Sequence, residues 1–155
     1  MLALDVGTSS VRAILHDARG EPLADGQART RWEPEVGRDG AAEAAAEELL
    51  DIVLDVLDRV LGDRRQTVAA VAVSTFWHGL MGLRGGRPCT PVWLWSDTRS
   101  WRAARRLRSH PQAEAVRQRT GCPIHPSYWT AKLAWAGPRS AERWCGFGDN
   151  SGSTS

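Results

Sequence analysis

Two short apolar runs near the start of the chain, joined by a tight turn, limit the fold more than any other feature of the sequence. The runs are Leu2 to Val6 and Val11 to Leu15, and the turn between them is Gly7-Thr8-Ser9-Ser10. A glycine directly after an apolar run is typical of the end of a strand, and a second run so soon afterwards predicts an antiparallel hairpin. Leu23 to Thr30 predicts a third strand.

A long amphipathic helix and a fourth strand are predicted next. Between Asp39 and Leu61, apolar residues recur at helical spacing and acidic residues fill the other positions, which predicts a helix that ends near Gly62. Thr67 to Ser74 is short and β-branched, which predicts a buried strand. The order strand, strand, strand, helix, strand is typical of an α/β fold in which helices cover a sheet.

The second half of the chain predicts shorter elements. Extended segments are predicted at Leu80 to Leu83 and Pro91 to Leu94, on either side of a turn at Arg84 to Arg87. Helices are predicted at Asp97 to Ser109, Gln112 to Arg119 and Ala131 to Ala136, and Gly137-Pro138 ends the last one. Residues 146–155 are mostly small and polar, so they predict a tail rather than part of a core.

The composition excludes several classes of protein. The 155 residues are 42% hydrophobic and 25% charged, as in ordinary globular domains, and the net charge of +2 is too small to indicate nucleic-acid binding by itself. The three cysteines are odd in number and widely spaced, which fits a reducing compartment. No apolar run approaches the roughly 18 residues of a membrane span. We therefore expect a cytoplasmic protein.

A carboxylate at the end of the first strand stands next to a turn rich in hydroxyl groups. Asp5 lies in the apolar run, and Gly7 precedes the hydroxyl residues Thr8, Ser9 and Ser10. Glycine lets a backbone approach an anion closely, hydroxyls add donors, and Mg²⁺ prefers oxygen ligands. The segment therefore predicts a phosphate-binding turn, with Asp5 holding Mg²⁺ directly or through water. The alternative is an ordinary hairpin with a polar turn.

A second group of candidate residues combines aromatic and polar side chains within a short stretch. Trp77, His78, Trp93, Trp95 and Asp97 fit a sugar site, in which aromatic faces meet C–H surfaces and a few polar groups converge. The alternatives are that the tryptophans fill a core, that the histidine is structural, and that the aspartate forms an ion pair with a nearby arginine at the start of a helix.

Two other interpretations of the sequence compete with the sugar site. Residues 97–119 contain seven arginines and two acidic residues, which could form a nucleic-acid face, although solvated helix faces are the simpler explanation. Cys122 and His125 have the spacing of a zinc-ligand pair, but a second close pair is missing, so a structural loop explains them.

Four segments, in the same order, resemble the FGGY carbohydrate kinases of the actin-like ATPase superfamily. Asp5 to Arg12 resembles the first phosphate-binding hairpin, and Val73 to Leu80 resembles the substrate-side strand and loop, which is similar to the S-x-x-M-H-G of xylulokinases. Pro91 to Arg99 resembles the W-x-D-x-R segment, and Thr120 to Trp135 is similar to the T-G…P…K-x-x-W block. The resemblance extends over about Leu2 to Asp149.

The resemblance implies an actin-like or ribonuclease-H-like α/β fold and an enzyme that phosphorylates a sugar, ketose or sugar acid with ATP and Mg²⁺. It implies that Asp5 helps to hold the metal ion and that the ATP phosphates lie at Gly7, Thr8, Ser9, Ser10 and Arg12. The sugar-contacting residues that it implies are Trp77, His78, Asp97, Ser127 and Tyr128. Xylulose-type ketoses and gluconate-type acids are the expected substrates.

FGGY kinases are much longer, two-domain proteins, so the resemblance also implies that the chain is an N-terminal fragment and an incomplete domain. Residues 1–149 are expected to form the first part of the sugar-binding domain, and residues 150–155 a disordered or truncation tail. The aspartate that acts as general base has no counterpart in this chain, so no catalytic residue is assigned and the chain alone is expected to be inactive.

The expected partners are a small sugar and ATP, without nucleic acid or membrane. A homodimer is one assembly considered for the full-length protein. The alternative to a kinase is a sugar-binding or scaffold remnant without catalysis.

Overall fold

The chain divides into two compact units. The computed structural model describes residues 1–62 and 68–144, with side chains as far as residue 137. The first unit comprises residues 1–36 and 42–77, and the second comprises residues 37–41 and the chain from His78 onward. The tail predicted at 150–155 lies outside the described residues.

A four-stranded mixed sheet forms the centre of the first unit. Its strands are β1 (Leu2–Val6), β2 (Ser10–His16), β3 (Pro22–Arg31) and β6 (Val71–Thr75), in the order β3-β2-β1-β6. The first three are antiparallel neighbours, and β6 runs parallel to β1. The predicted α/β fold, with a mixed sheet that opens on an antiparallel hairpin, is therefore confirmed.

Helix α1 (Ala46–Leu61) covers one face of this sheet. Val56 and Val60 are buried in a core cluster with Val11, Ala13 and other strand residues. Full burial of a side chain of valine size stabilises the fold by about 1.5 to 3 kcal/mol. The apolar positions that predicted the helix are thus the ones that hold it against β2 and β3.

The helix begins later than its composition predicts, because a short hairpin precedes it. Strands β4 (Glu35–Val36) and β5 (Ala42–Ala44) pair antiparallel. In the intervening turn, Oδ1 of Asp39 accepts a hydrogen bond from the amide of Ala41 at 3.1 Å. The predicted start of the helix at Asp39 is therefore wrong.

Strand β6 is exposed, although its sequence predicts a buried strand at Thr67 to Ser74. All five of its residues are exposed, including Val71 and Val73. It lies at the sheet edge away from β2 and β3, where α1 packs, so α1 gives it little cover. A strand in this region is confirmed, its predicted burial is wrong, and Thr67 lies outside the described residues.

Short strands and three helices form the second unit. They are β7 (Leu83–Arg84), β8 (Arg87–Pro88), β9 (Val92–Trp93), α2 (Trp101–Arg108), α3 (Ala113–Thr120) and α4 (Trp129–Trp144). The predicted turn between β7 and β8 is confirmed, and Gly85 and Gly86 adopt positive φ angles there. Trp93 of β9 exchanges two backbone hydrogen bonds with Leu80, of 2.8 and 3.0 Å.

One helix boundary in this unit differs from the prediction, and another is confirmed. Helix α2 begins at Trp101 rather than at Asp97, because the Asp97 carboxylate accepts the amide hydrogen of Arg99 and closes a turn ahead of the helix. The predicted end of a helix at Gly137 is confirmed, because the backbone leaves the helical region there (φ 34°, ψ 166°), and the rest of α4 is a second helical segment beyond this kink. Glycine adopts this conformation at little steric cost.

The cysteines differ in state. Cys89 is disulfide-bonded, although the number and spacing of the cysteines fit a reducing compartment, and Cys122 is an exposed free thiol. No helix within residues 1–62 and 68–144 combines the length and the apolar composition that a bilayer crossing needs.

Candidate functional site

The carbonyl groups of Gly7, Ser9 and Ser10 in the β1–β2 turn accept hydrogen bonds within the first unit. The amide of Gly7 donates to the carbonyl of Ser10 at 2.9 Å. Trp32 donates twice, from its indole Nε1 to the carbonyl of Gly7 at 3.0 Å and from its amide to the carbonyl of Ser9 at 3.1 Å. The turn is thus fixed through its acceptors.

The donors of the same turn are open. Among the described residues, the amides and hydroxyls of Thr8 and Ser9 form no hydrogen bond. Thr8 is half-buried, Ser9 is exposed and Ser10 is buried. With three of its carbonyls bonded and the donors of Thr8 and Ser9 open, the turn presents N–H and O–H groups, which is the polarity that an anion requires.

Charged and polar residues form a row across the exposed face of the sheet. In the strand register, Asp5 lies opposite Arg12 of β2 and Ser74 of β6, and Arg12 lies opposite Arg29 of β3. All four are exposed. A single open carboxylate fits Mg²⁺, which keeps several waters and takes its other ligands from substrate phosphates. No group of three or more metal-binding side chains occurs in the described part of the chain.

His78 has an unusual backbone conformation. Its φ angle is 57°, and it is the only non-glycine residue with positive φ among those described. This conformation costs a residue with a Cβ about 1 to 2 kcal/mol and persists only where neighbouring groups hold it. The imidazole stacks on the ring of Tyr128 at 4.2 Å and meets the edge of Trp129 at 5.8 Å. Two of the predicted sugar-contacting residues, His78 and Tyr128, are thus brought together.

The loop before α4 places Ser127 next to Tyr128. His125 holds this loop, because its carbonyl accepts the amide hydrogen of Tyr128 at 3.0 Å and its Nδ1 accepts that of Ser127 at 3.2 Å. Ser100 donates to the carbonyl of Pro126 at 2.5 Å. Ser127 is 7% exposed, and its hydroxyl forms no hydrogen bond with any described residue. His125 therefore has the structural role that its proline-bounded loop predicts.

Asp97 is buried and forms an ion pair with Arg99. Nε of Arg99 lies 3.2 and 3.0 Å from the two carboxylate oxygens, and Nη2 lies 2.6 Å from Oδ2. The guanidinium also lies over the ring of Trp135 at 5.1 Å. The ion pair that was the alternative for Asp97 is thus formed, and a contact between Asp97 and the sugar stays a prediction.

The tryptophans divide into buried and exposed ones. Trp93 is buried and packs edge-on against Trp135 with ring centroids 5.1 Å apart, which confirms the core interpretation of Trp93. Trp77, Trp95 and Trp129 are 79%, 50% and 54% exposed. Trp77 is the last residue of the first unit. Exposed indoles of this kind can pack against the apolar face of a sugar ring.

Lys132 is a buried cation that sequence reasoning did not place in the site. It is 1% exposed, and its Nζ donates to the carbonyl oxygens of His78 at 2.9 Å, of Trp93 at 3.4 Å and of Leu94. Burial lowers the pKa of Lys132 from its usual 10.5 to about 8, although the nearby Asp97 carboxylate opposes this shift. Two signals in the sequence point to it: it is the single lysine of the chain, and it is the lysine of the K-x-x-W segment.

Comparisons with known proteins identify relatives of the chain. Residues 1–143 match the sequence profile of the N-terminal domain of the FGGY family of carbohydrate kinases. The chain is 27% identical over 138 residues to a gluconokinase of Bacillus subtilis and 30% identical over 140 residues to a glycerol kinase of Alcanivorax borkumensis, and each match covers 87% of the chain. The crystal structure of a xyloylose kinase from Brucella ovis matches 92% of the chain with a TM-score of 0.80 and 27% identity.

These relatives are much longer than the chain. The matched regions are 26% of the gluconokinase, 28% of the glycerol kinase and 30% of the xyloylose kinase chain. The chain therefore spans about a quarter of the length of the curated relatives it matches. The structural match confirms the predicted actin-like α/β fold.

Proposed function

Because the chain belongs to the FGGY family of carbohydrate kinases, through the N-terminal domain of that family, we propose that it takes part in the ATP-dependent phosphorylation of a hydroxyl on a sugar, ketose or sugar acid. In that reaction the hydroxyl oxygen bonds to the γ-phosphorus, the bond from this phosphorus to the bridging oxygen breaks to release ADP, and the hydroxyl proton passes to a base. The observation that carries the proposal is the β1–β2 turn with its open donors.

The first unit supplies the groups that bind phosphate and metal. The amides and hydroxyls of Thr8 and Ser9 donate to phosphate oxygens, and the tight turn at Gly7 lets them approach. Asp5 holds Mg²⁺ directly or through water, and Arg12, which is its direct neighbour on β2, adds positive charge. Positioning and neutralisation of charge account for most of the catalysis in phosphoryl transfer.

The second unit supplies the groups that bind the sugar. His78 and Tyr128 form a stacked pair. The hydroxyl of the neighbouring Ser127 forms no hydrogen bond with any described residue. Such a combination of ring faces and a few polar groups suits a polyhydroxylated substrate. Asp97 contributes through its ion pair with Arg99.

The kinase activity belongs to a longer protein in this proposal, because the chain spans about a quarter of its relatives. We place the catalytic base outside the chain and expect no turnover from the chain alone. The relatives are named as gluconokinase, glycerol kinase and xyloylose kinase, so gluconate, glycerol and xylulose are the substrates to test first.

A coupled ADP-release assay tests the proposal on the chain and on the product of the whole reading frame that contains it. With Mg-ATP and each of the three substrates, we expect turnover that depends on the sugar only in the longer protein. Asp5→Ala abolishes this turnover, and Asp51→Ala, which removes an exposed carboxylate of α1, preserves it. No sugar-dependent turnover in either protein overturns the kinase proposal, and sugar binding by calorimetry without turnover supports the non-catalytic remnant instead.

A further inference from the structure

We propose that Lys132 is a positioning residue that fixes the left-handed backbone of His78, and with it the direction of the imidazole. Lys132 acts together with Trp129, which lies one turn earlier on α4. The part of this inference that concerns the sugar rests on the proposed function, and the part that concerns the backbone does not.

The first turn of α4 holds two consecutive carbonyl groups of the His78 loop. Nζ of Lys132 donates to the carbonyl of His78 at 2.9 Å, and Nε1 of Trp129 donates to the carbonyl of Gly79 at 2.9 Å. Residues three apart on a helix lie on the same face, so one rigid element holds both groups. We call Trp129 and Lys132 the α4 clamp.

The clamp acts where the backbone is strained. The left-handed conformation is costly for a residue with a Cβ, and a hydrogen bond from a charged donor is stronger than one from a neutral donor. The bond from Lys132 to the His78 carbonyl can therefore offset the strain. The same ammonium bonds to Trp93 and Leu94, so the His78 loop is tied to the end of β9.

Side-chain contacts complete the orientation of the imidazole. Tyr128 precedes the clamp by one residue and stacks on the His78 ring, and Trp129 meets the ring edge-on. Release of this carbonyl frees the ψ angle of His78, so the residue can leave the left-handed region and its ring can leave Tyr128. A buried ammonium is costly unless it is fully bonded, so an apolar side chain would fill the same space more cheaply. An apolar side chain in this place would leave the His78 carbonyl without the bond that the ammonium donates.

The experiment measures the His78 conformation directly. In the isotopically labelled 155-residue chain, scalar couplings report the φ angle of His78, and ring carbon shifts report its stacking. Lys132→Met should move His78 out of the left-handed region and shift its ring signals. Val56→Ala, a destabilising change in the core of the first unit, is the matched control and should leave the His78 signals unchanged.

A second variant covers the case in which Lys132→Met does not fold. Trp129→Phe keeps an aromatic ring but removes the donor to Gly79, and it should shift the signals of His78 and Gly79 in the same direction. Unchanged His78 signals in Trp129→Phe, or in a folded Lys132→Met, overturn the proposal. So does an equal shift in Val56→Ala.

Calorimetry with D-xylulose and D-gluconate connects the backbone effect to the site. In folded Lys132→Met or Trp129→Phe the affinity for these compounds should fall by about tenfold or more, which is the equivalent of one lost hydrogen bond that involves a charged group. Val56→Ala should bind as the unchanged chain does. If the unchanged chain binds neither compound, the proposed sugar site fails, and the NMR readout still decides whether Lys132 positions His78.

Discussion

The indole nitrogen of Trp32 donates a 3.0 Å hydrogen bond to the carbonyl of Gly7, which lies 25 residues earlier in the chain. The amide of the same tryptophan bonds to the carbonyl of Ser9. These two bonds take up acceptors of the turn and leave its donors open. Trp32, at the end of β3, therefore sets the polarity of the turn to which we assign phosphate binding.

Trp32→Phe should loosen this turn. The phenyl ring retains much of the contact with Phe76, whose ring centroid lies 6.4 Å away, but the bond to Gly7 is lost. We expect a loss of about 1 kcal/mol in the free energy of unfolding and faster hydrogen exchange at the Gly7 amide. Trp101→Phe is the control, because that indole is half exposed and forms no hydrogen bond with a described residue. Equal effects in the two variants would contradict the role of Trp32.

Gly7→Ala should weaken nucleotide binding. A Cβ at this position would lie 3.2 Å from the Ser10 carbonyl oxygen, which is tighter than an ordinary contact, so the turn must widen. We expect the affinity for Mg-ATP to fall by about tenfold in the protein used for the kinase assay, as measured by calorimetry. Ser9→Ala removes one hydroxyl without moving the backbone and should have a smaller effect. The reverse order would show that the backbone amides are not the main ligands.

Asp97→Asn should destabilise the second unit, because it leaves the partly buried Arg99 without its charge partner. Breaking a buried ion pair from one side costs about 3 kcal/mol, which denaturant unfolding can measure. Glu114→Gln is the matched control. It breaks a pair with Arg117 of the same 2.6 Å length, but both side chains are more than half exposed, so no measurable change is expected. A similar loss in both variants would mean that burial of the Asp97 pair is not what matters.

The stability of the second unit should depend on pH through Lys132. Burial lowers the pKa of its ammonium to about 8, and in the unfolded chain the usual value of 10.5 applies. Between these two values the unfolded chain binds more protons than the folded one, so the contribution of Lys132 to stability rises with pH. The free energy of unfolding of the unchanged chain, measured relative to that of Lys132→Met by denaturant unfolding, should therefore rise from pH 7 to pH 9.5. A fall of this relative stability over the same range would contradict the lowered pKa.

The His78 loop should become less ordered as the pH rises, although the contribution of Lys132 to stability increases over the same range. A neutral amine has two donors for the three carbonyls that the ammonium serves, so the loop should loosen as the pH rises through about 8. Hydrogen exchange at Gly79 and Leu80, corrected for the intrinsic effect of pH, measures this. Exchange that is unaffected between pH 7 and 9 would argue against Lys132 as the residue that holds the loop.

The elements that the sequence predicted correctly depend on local signals. The β1–β2 hairpin follows from apolar runs separated by a glycine-led turn, and the β7–β8 turn follows from Gly85 and Gly86, whose positive φ angles suit that residue. The apolar spacing along α1 is equally local. For this reason the fold class could be predicted from a single sequence, and phosphate binding by the β1–β2 turn stays a prediction.

The errors concern features that depend on distant residues. Ala42 to Ala44 suits a helix by composition, but its pairing with β4 makes it a strand. Burial of β6 depends on what packs against it, which its own residues do not specify. Lys132 bonds to carbonyls 38 to 54 residues away, so no nearby pattern could reveal that it is buried or what it holds.

The solitary lysine also gives the chain a built-in chemical reporter. Only two amines are present, the exposed ammonium of Met1, which donates to the His16 carbonyl, and the enclosed Nζ of Lys132. An amine-reactive ester should therefore add one label to the folded chain quickly, and a second only when the segment around α4 opens. The rate at which the doubly labelled mass appears then measures the opening of the second unit. The measurement needs no mutation and does not depend on opening of the first unit.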